Sequence, residues 1–262
     1  MFGCIIQVRM NSKRFPGKVM KKIDGKNPSL FFTISQLQKS KYIKKIIIAT
    51  SINKSDDIIE DFSKRIKVNC FRGDEEDVLD RYYNCAKKYH IKNIIRITGD
   101  CPLIDPTIVD NMILKFKNGN YDYIHNFEPR TFPDGEDVEI LTFNSLANAW
   151  KNSKLPSERE HVTAYLRNNS KKFKIKNILN YKDFSNYRVT LDYEEDLKLI
   201  KLIIRNIKKT PILMEDIIQL LEKNPQYLSI NKKYEANEGY KISLKKDKEF
   251  LKKNNITKNY EK

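Results

Sequence analysis

Cysteine is scarce and scattered in this chain of 262 residues: Cys4, Cys70, Cys85 and Cys101 include no Cys-x-x-Cys pair. With only three histidines and none at ligand spacing, a structural zinc site is excluded and reduced, buried thiols in a cytosolic protein are expected. No apolar run approaches the roughly 18 residues a membrane-spanning helix needs, and residues 1–8 are too short for a secretory apolar segment, so a soluble, cytoplasmic protein without membrane insertion is expected. There is no internal repeat. Also missing are repeated aromatic platforms and RNP-type motifs. A net charge of +16 invites a nucleic-acid reading, but Lys outnumbers Arg by more than three to one and the lysines are dispersed. That pattern fits a genome-wide compositional bias better than a dedicated RNA reader, and no nucleic-acid partner is expected. A basic binding protein is nonetheless the rival from another functional class.

What is present is an alternation. Strand-like runs at Gly3–Val8, Lys45–Thr50, Val68–Phe71 and Asn93–Thr98 are separated by helical patterns at Ser29–Lys39, Asp56–Lys64 and Glu75–Tyr89. Short apolar strands alternating with amphipathic helices predict an α/β fold with a mostly parallel central sheet flanked by helices. Beyond it, Tyr121–Asn126, Val138–Leu141, Phe173–Leu179 and Tyr187–Leu191 read as strands. Phe143–Asn152, Glu158–Asn168, Glu194–Ile207 and Met214–Lys223 read as helices. The expected division is a catalytic unit over 1–225 and a Lys/Asn-rich tail or appendage over 226–262, loosely attached for want of apolar periodicity.

Two strand ends carry the chemistry. The first runs into Arg9-Met10-Asn11-Ser12-Lys13-Arg14-Phe15-Pro16-Gly17-Lys18, four cations in a short loop with a Pro-Gly turn. Loops leaving the carboxyl ends of parallel strands are where open α/β sheets bind ligands, and cations with free backbone N–H groups suit a polyphosphate. The second is Arg96-Ile97-Thr98-Gly99-Asp100-Cys101-Pro102, which brings a carboxylate to the same edge. A carboxylate facing phosphates calls for an intervening cation, hence Mg²⁺; a turn-forming role for Asp100 is the plain alternative. Asp192 is the candidate second ligand, and it reads equally well as a helix N-cap. Glu136, Asp137 and Glu139 cluster after Pro133-Asp134-Gly135 and suit the hydroxyls of a sugar-like acceptor or surface lysines. His161 is either an acceptor-side or proton-accepting group or structural. A P-loop kinase is disfavoured, since Gly17-Lys18 lacks the upstream glycine. A glycosyltransferase is disfavoured, since no Asp-x-Asp follows a strand.

These segments resemble a known family. Gln7 to Lys18, together with Phe71–Tyr82, Arg96–Leu103, Phe132–Glu139 and Arg159–Thr163, is similar in order and content to the SpsF-type cytidylyltransferases of polysaccharide biosynthesis, relatives of the CMP-3-deoxy-manno-octulosonate and CMP-sialic acid synthetases. Val8 and Phe15 stand where Ala and Leu are commoner. The resemblance implies a Rossmann-like nucleotide-diphospho-sugar transferase fold with a small acceptor or dimerisation subregion, and a homodimer. It implies transfer of CMP from CTP to a sugar, sugar acid or sugar phosphate with Mg²⁺ and release of pyrophosphate; a guanylyl- or other nucleotidyltransferase is the nearest alternative. By the same likeness Arg9, Arg14 and Lys18, with Lys13, would hold the triphosphate, and the backbone at Gln7 and Val8, with Arg72, would lie near the base. Asp100 and Asp192 would bind the metal, and Glu136, Asp137, Glu139, Arg159 and His161 would face the acceptor.

Overall fold

A computed structural model describes residues 1–234 and 238–254. Four parallel strands form the nucleus: β1 (Phe2–Gln7), β2 (Lys45–Ser51), β3 (Asn69–Gly73) and β4 (Asn93–Thr98). Three short strands follow, β5 (Tyr123–His125), β6 (Glu139–Thr142) and β7 (Ile175–Asn177), and the sheet order is β3-β2-β1-β4-β6-β5-β7. Only β6 runs against its neighbours, pairing antiparallel with both β4 and β5. The register of β1 with β2 and β4 places Gln7 beside Ala49 and Thr98, so the loops after β1 and β4 leave from one edge.

Alternation along β1 divides the core between the two faces. Cys4, Ile6 and Val8 join Ile34 and Leu37 of α1 (Ser29–Leu37) and the apolar faces of α4 (Pro106–Gly119), α8 (Glu194–Asn206) and α9 (Met214–Lys223). Ile5 faces α3 (Val78–Lys88), α5 (Phe143–Asn152) and α7 (Ala164–Asn168) on the other side. The remaining helices are α2 (Asp57–Arg65), α6 (Pro156–Glu160) and α10 (Glu238–Lys253).

Several elements differ from the sequence reading. The helix expected from Glu75 starts at Val78, because Asp74 closes an Asx turn on the N–H groups of Glu76 and Asp77, and Asp77 caps the helix by accepting from Asp80 N–H. The helix expected over 158–168 is broken into α6 and α7 at Val162, which sits at φ 48°. Tyr187–Leu191 is extended but makes only an isolated bridge, Arg188 to Asp134. It is used as a strap between loops instead: Val189 N–H donates to the Asp134 carbonyl (2.7 Å) and Leu191 N–H to the Asp100 carbonyl (2.8 Å). The strand expected over Phe173–Leu179 shrinks to β7. Helix α4 was not expected, although Asp105 caps it and Pro106 opens it, the usual start signal. The segment expected to be a loose tail, of which residues 235–237 and 255–262 lie outside the described ones, contains α10, which packs on α6 through Ser243 and Asp247. Polar contacts hold it, which apolar periodicity does not reveal.

One residue stands apart in the core. Arg81 on α3 is 0% exposed and none of its three guanidinium nitrogens has a hydrogen-bond partner among the described residues; burial lowers its pKa. A charge buried without a partner carries a desolvation penalty of several kcal/mol. Arg81→Met is therefore expected to raise the melting temperature by several degrees. Calorimetry checks this, and a lower melting temperature would show that the guanidinium is held by contacts of another kind.

Candidate active site

The chain leaves β1 at Gln7 and turns under its own basic loop, which Phe15 and Val19 pin to the core (6% and 2% exposed). Anchored in this way, Lys18 lies in a 3-10 turn spanning Lys18–Met20, with only its ammonium reaching the cleft. Lys18 Nζ donates to Asp100 Oδ2 (2.6 Å) and Asp192 Oδ1 (2.8 Å). Arg14 Nη2 pairs with the same Asp192 oxygen at 2.6 Å and its guanidinium lies over the Tyr193 ring.

The two carboxylates meet because the backbone brings them together. The Asp100 carbonyl accepts from Leu191 N–H and from Thr190 Oγ1, which pulls the 190–192 segment onto the end of β4. Gly99 lets that end approach β1: a Cβ there would fall 2.1 Å from Val8 Cγ1. Gly135, at φ 113°, lets its loop press on Val189 and Thr190, where a Cβ would sit 2.6 Å from Thr190 N. Asp192 does not cap α8. Tyr193 holds the cap position, and Asp196 in the first turn reaches back to accept from Asp192 and Tyr193 N–H (2.9 and 3.0 Å), so the Asp192 carboxylate turns to the cations. Behind it, Arg188 bonds Asp196 and Asp134 and lies 3.4 Å from Asp192 Oδ2.

Burial acts against every charge here, and pairing overrides it. Desolvation raises the Asp192 carboxyl, yet Lys18 and Arg14 hold it well below the usual carboxylate range. Desolvation likewise lowers Lys18 and Arg14, and the facing aspartates raise both above their ordinary values. Asp192, Lys18 and Arg14 are ionised at neutral pH. Two carboxylate oxygens within hydrogen-bond reach of one ammonium are also within reach of one small cation. Hard oxygen donors, two in number and leaving positions for phosphate and water, fit Mg²⁺. They do not fit zinc, and no group of three or more His, Cys, Asp or Glu able to hold a metal occurs among the described residues.

The basic loop and Asp100 face one cavity of about 280 Å³, whose lining includes Gln7, Val8, Arg9, Lys13, Arg14 and Lys18. A second cavity of about 220 Å³ is lined by Asp137, Glu139 and Thr163 among others, and Arg96, Thr98 and His161 line both. Three expected site residues lie elsewhere. The Arg72 guanidinium is folded back on Asp57, Glu60 and the carbonyls of Ser51 and Asn53, because β3 is the sheet edge and its side chain falls on α2. Glu136 is 0% exposed and accepts from Asp105 N–H, so it tethers two loops; burial drives its pKa well above the ordinary value. Arg159 clamps Asp77 and the Trp150 carbonyl. None of the three lines either cavity, and neither does Asp192, which meets the cleft through its pairs with Lys18 and Arg14.

The sequence reading missed Arg96, Arg167, Thr163 and Tyr240. Glu139 is 3% exposed and binds Arg96, Tyr123 and Thr163. Burial would raise its pKa, but Arg96 and Arg167 bring it below normal. Arg96 stood out as a charge inside the apolar strand Ile94–Ile97; Arg167, which bonds Thr163 (2.9 Å) and stacks on Phe127 and Tyr240, gave no such signal. His161 sits where the cavities join, its Nε2 2.9 Å from Ser243 Oγ. Burial pushes its pKa down to about 4, so the ring is neutral at pH 7.

A family model described as cytidylyltransferase matches residues 3–240. The chain is 38% identical over 229 residues to an uncharacterized protein of Methanocaldococcus jannaschii, covering 87% of this chain and 93% of that protein. It is 34% identical over 231 residues to the spore coat polysaccharide biosynthesis protein SpsF of Bacillus subtilis, covering 84% and 94%. Among solved structures, a cytidylyltransferase from Leptospira borgpetersenii superposes with a TM-score of 0.84 at 36% identity, covering 89% of this chain and 99% of that one. The sheet order and helical layers are those of the Rossmann-like nucleotide-sugar transferase fold, and no helix among the described residues is long and apolar enough to cross a membrane. The chain belongs to the cytidylyltransferase family and is a nucleotidyltransferase.

Proposed function

We propose that this enzyme transfers CMP from CTP to a sugar, sugar acid or sugar phosphate, with Mg²⁺ and release of pyrophosphate, in the synthesis of a surface polysaccharide or glycan. The observation that carries this reading is the meeting of Arg14 and Lys18 with Asp100 and Asp192 at one rim of the sheet. The likeness to SpsF, a spore coat polysaccharide biosynthesis protein, supports the pathway class.

In this reading Arg9, Arg14 and Lys18, with Lys13 at the mouth, bind the triphosphate and hold its α-phosphorus in line with the acceptor. The backbone at Gln7 and Val8 forms the floor beneath the nucleoside. Asp100 and Asp192 hold Mg²⁺, which when bound supplies charge neutralisation at the phosphate oxygens. Arg14 and Lys18 stand at the cleft before nucleotide arrives, paired with Asp192 and with both aspartates, and Lys18 exchanges those carboxylates for phosphate oxygens when nucleotide binds. The second cavity receives the acceptor. Its carboxylates Asp137 and Glu139 accept from hydroxyls, and the neutral His161 at the join takes the proton of an attacking hydroxyl. An acceptor phosphate needs no such base.

Pyrophosphate release with each of the four ribonucleoside triphosphates, Mg²⁺ and a panel of sugar acids and sugar phosphates tests the reading. Turnover is expected with CTP at a rate at least about tenfold above UTP, GTP and ATP. Equal rates with a purine triphosphate, or none with CTP across the panel, would overturn it.

A further inference from the structure

The wall of the triphosphate cleft opposite the basic loop comes from α10. Gly239, Ile242, Ser243 and Lys246 line the same cavity as Arg9, Arg14 and Lys18; the spacing puts them on one helix face. The matched family segment ends at residue 240, so Ser243, Lys246 and the anchoring Asp247 lie beyond it.

The helix is seated by contacts separate from its lysine. Asp247, 6% exposed, accepts from both the N–H and the hydroxyl of Ser157 at the start of α6 (2.8 and 2.5 Å). Ser243, 1% exposed, donates to Glu160 (2.7 Å) and meets His161. Tyr240 packs edge-on against the His161 ring and beneath Arg167, and Glu238 accepts from Tyr193. Across the cleft, one carboxylate stands between two cations. Glu160 Oε2 lies 3.4 Å from Lys246 Nζ, and Glu160 Oε1 lies 3.9 Å from Arg9 Nη2. Both separations are loose for charge-assisted hydrogen bonds, and Lys246 is only partly buried, so a stronger anion can draw the ammonium away at small cost.

We propose that Lys246 is a further triphosphate-binding residue, parked on Glu160 in the free enzyme and engaging the β- and γ-phosphates together with Arg9 when nucleotide enters. The inference rests on the reading of this cleft as the nucleotide site. A terminal helix thereby contributes to nucleotide affinity in a segment where the sequence shows only dispersed lysines.

Titration calorimetry of the full chain with CTP and with CMP, in Mg²⁺, tests it. Lys246→Ala is expected to weaken CTP about tenfold and CMP less than about twofold, since CMP lacks the phosphates in question. Lys246→Arg is expected to restore CTP affinity, and Lys246→Glu to weaken it further than the alanine variant. An unchanged CTP affinity in Lys246→Ala, or equal losses for CTP and CMP without rescue by arginine, would overturn the proposal. Arg14→Ala in the same titration separates the two readings: if it loses CTP while Lys246→Ala does not, only this inference fails, and if neither loses CTP, the cleft assignment itself fails.

Discussion

Asp100→Asn is expected to lower CTP turnover by about 10²- to 10³-fold while leaving the fold intact. The side chain accepts from Lys18 and meets only the Cys101 thiol besides. The structural duty of residue 100 is carried by its carbonyl, which Leu191 and Thr190 hold and which Asn retains. The amide keeps the shape of the carboxylate and removes its charge, so the loss reports cation binding and not collapse. The Mg²⁺-dependent part of CTP binding should disappear in parallel. Steady-state pyrophosphate release and calorimetry with and without Mg²⁺ check both; turnover within about fivefold of the native enzyme would remove Asp100 from the metal site.

Replacing Lys18 has a different signature. Its ammonium is the bridge between Asp100 and Asp192, with a side chain only 10% exposed. Lys18→Met leaves two carboxylates facing each other with Arg14 on one of them, the situation in which breaking a buried pair costs about 3–5 kcal/mol. The free enzyme should melt about 6–20 °C lower, and turnover should fall about 10²-fold or more. Millimolar Mg²⁺ should then stabilise the variant more than the native enzyme, because the divalent ion takes up the charge the lysine no longer balances. Thermal denaturation across a Mg²⁺ series measures this. Equal stabilisation of both proteins would show that the aspartates do not form a cation site.

The parallel nucleus was legible because β1 and β2 carry continuous apolar runs, and β4 one broken by Arg96, which read as strands buried on both faces. The meeting of Arg14 and Lys18 with Asp100 was legible for a related reason, while Asp192 read equally well as a helix cap. A strand end fixes where the following residues leave the sheet, and all four follow extended segments. Side-chain direction at an edge or in a tight loop has no such constraint. Arg72 therefore turned to Asp57 and Glu60, Glu136 turned inward to Asp105, and Arg159 turned to Asp77. Tyr187–Leu191 has strand composition but serves as a strap, since its partners are the carbonyls of Asp100 and Asp134 and not a neighbouring strand. Helix α10 was hidden for a further reason: Ser243 and Asp247 are buried by hydrogen bonds to Glu160 and Ser157, and a polar anchor leaves no hydrophobic stripe to read.

A crystal structure of the enzyme with CTP and Mg²⁺ tests the central claim most directly. The triphosphate is expected among Arg9, Arg14 and Lys18, with the metal bound through carboxylate oxygens of Asp100 and Asp192. A nucleotide seated elsewhere, or a metal on the triphosphate touching neither aspartate, would contradict it.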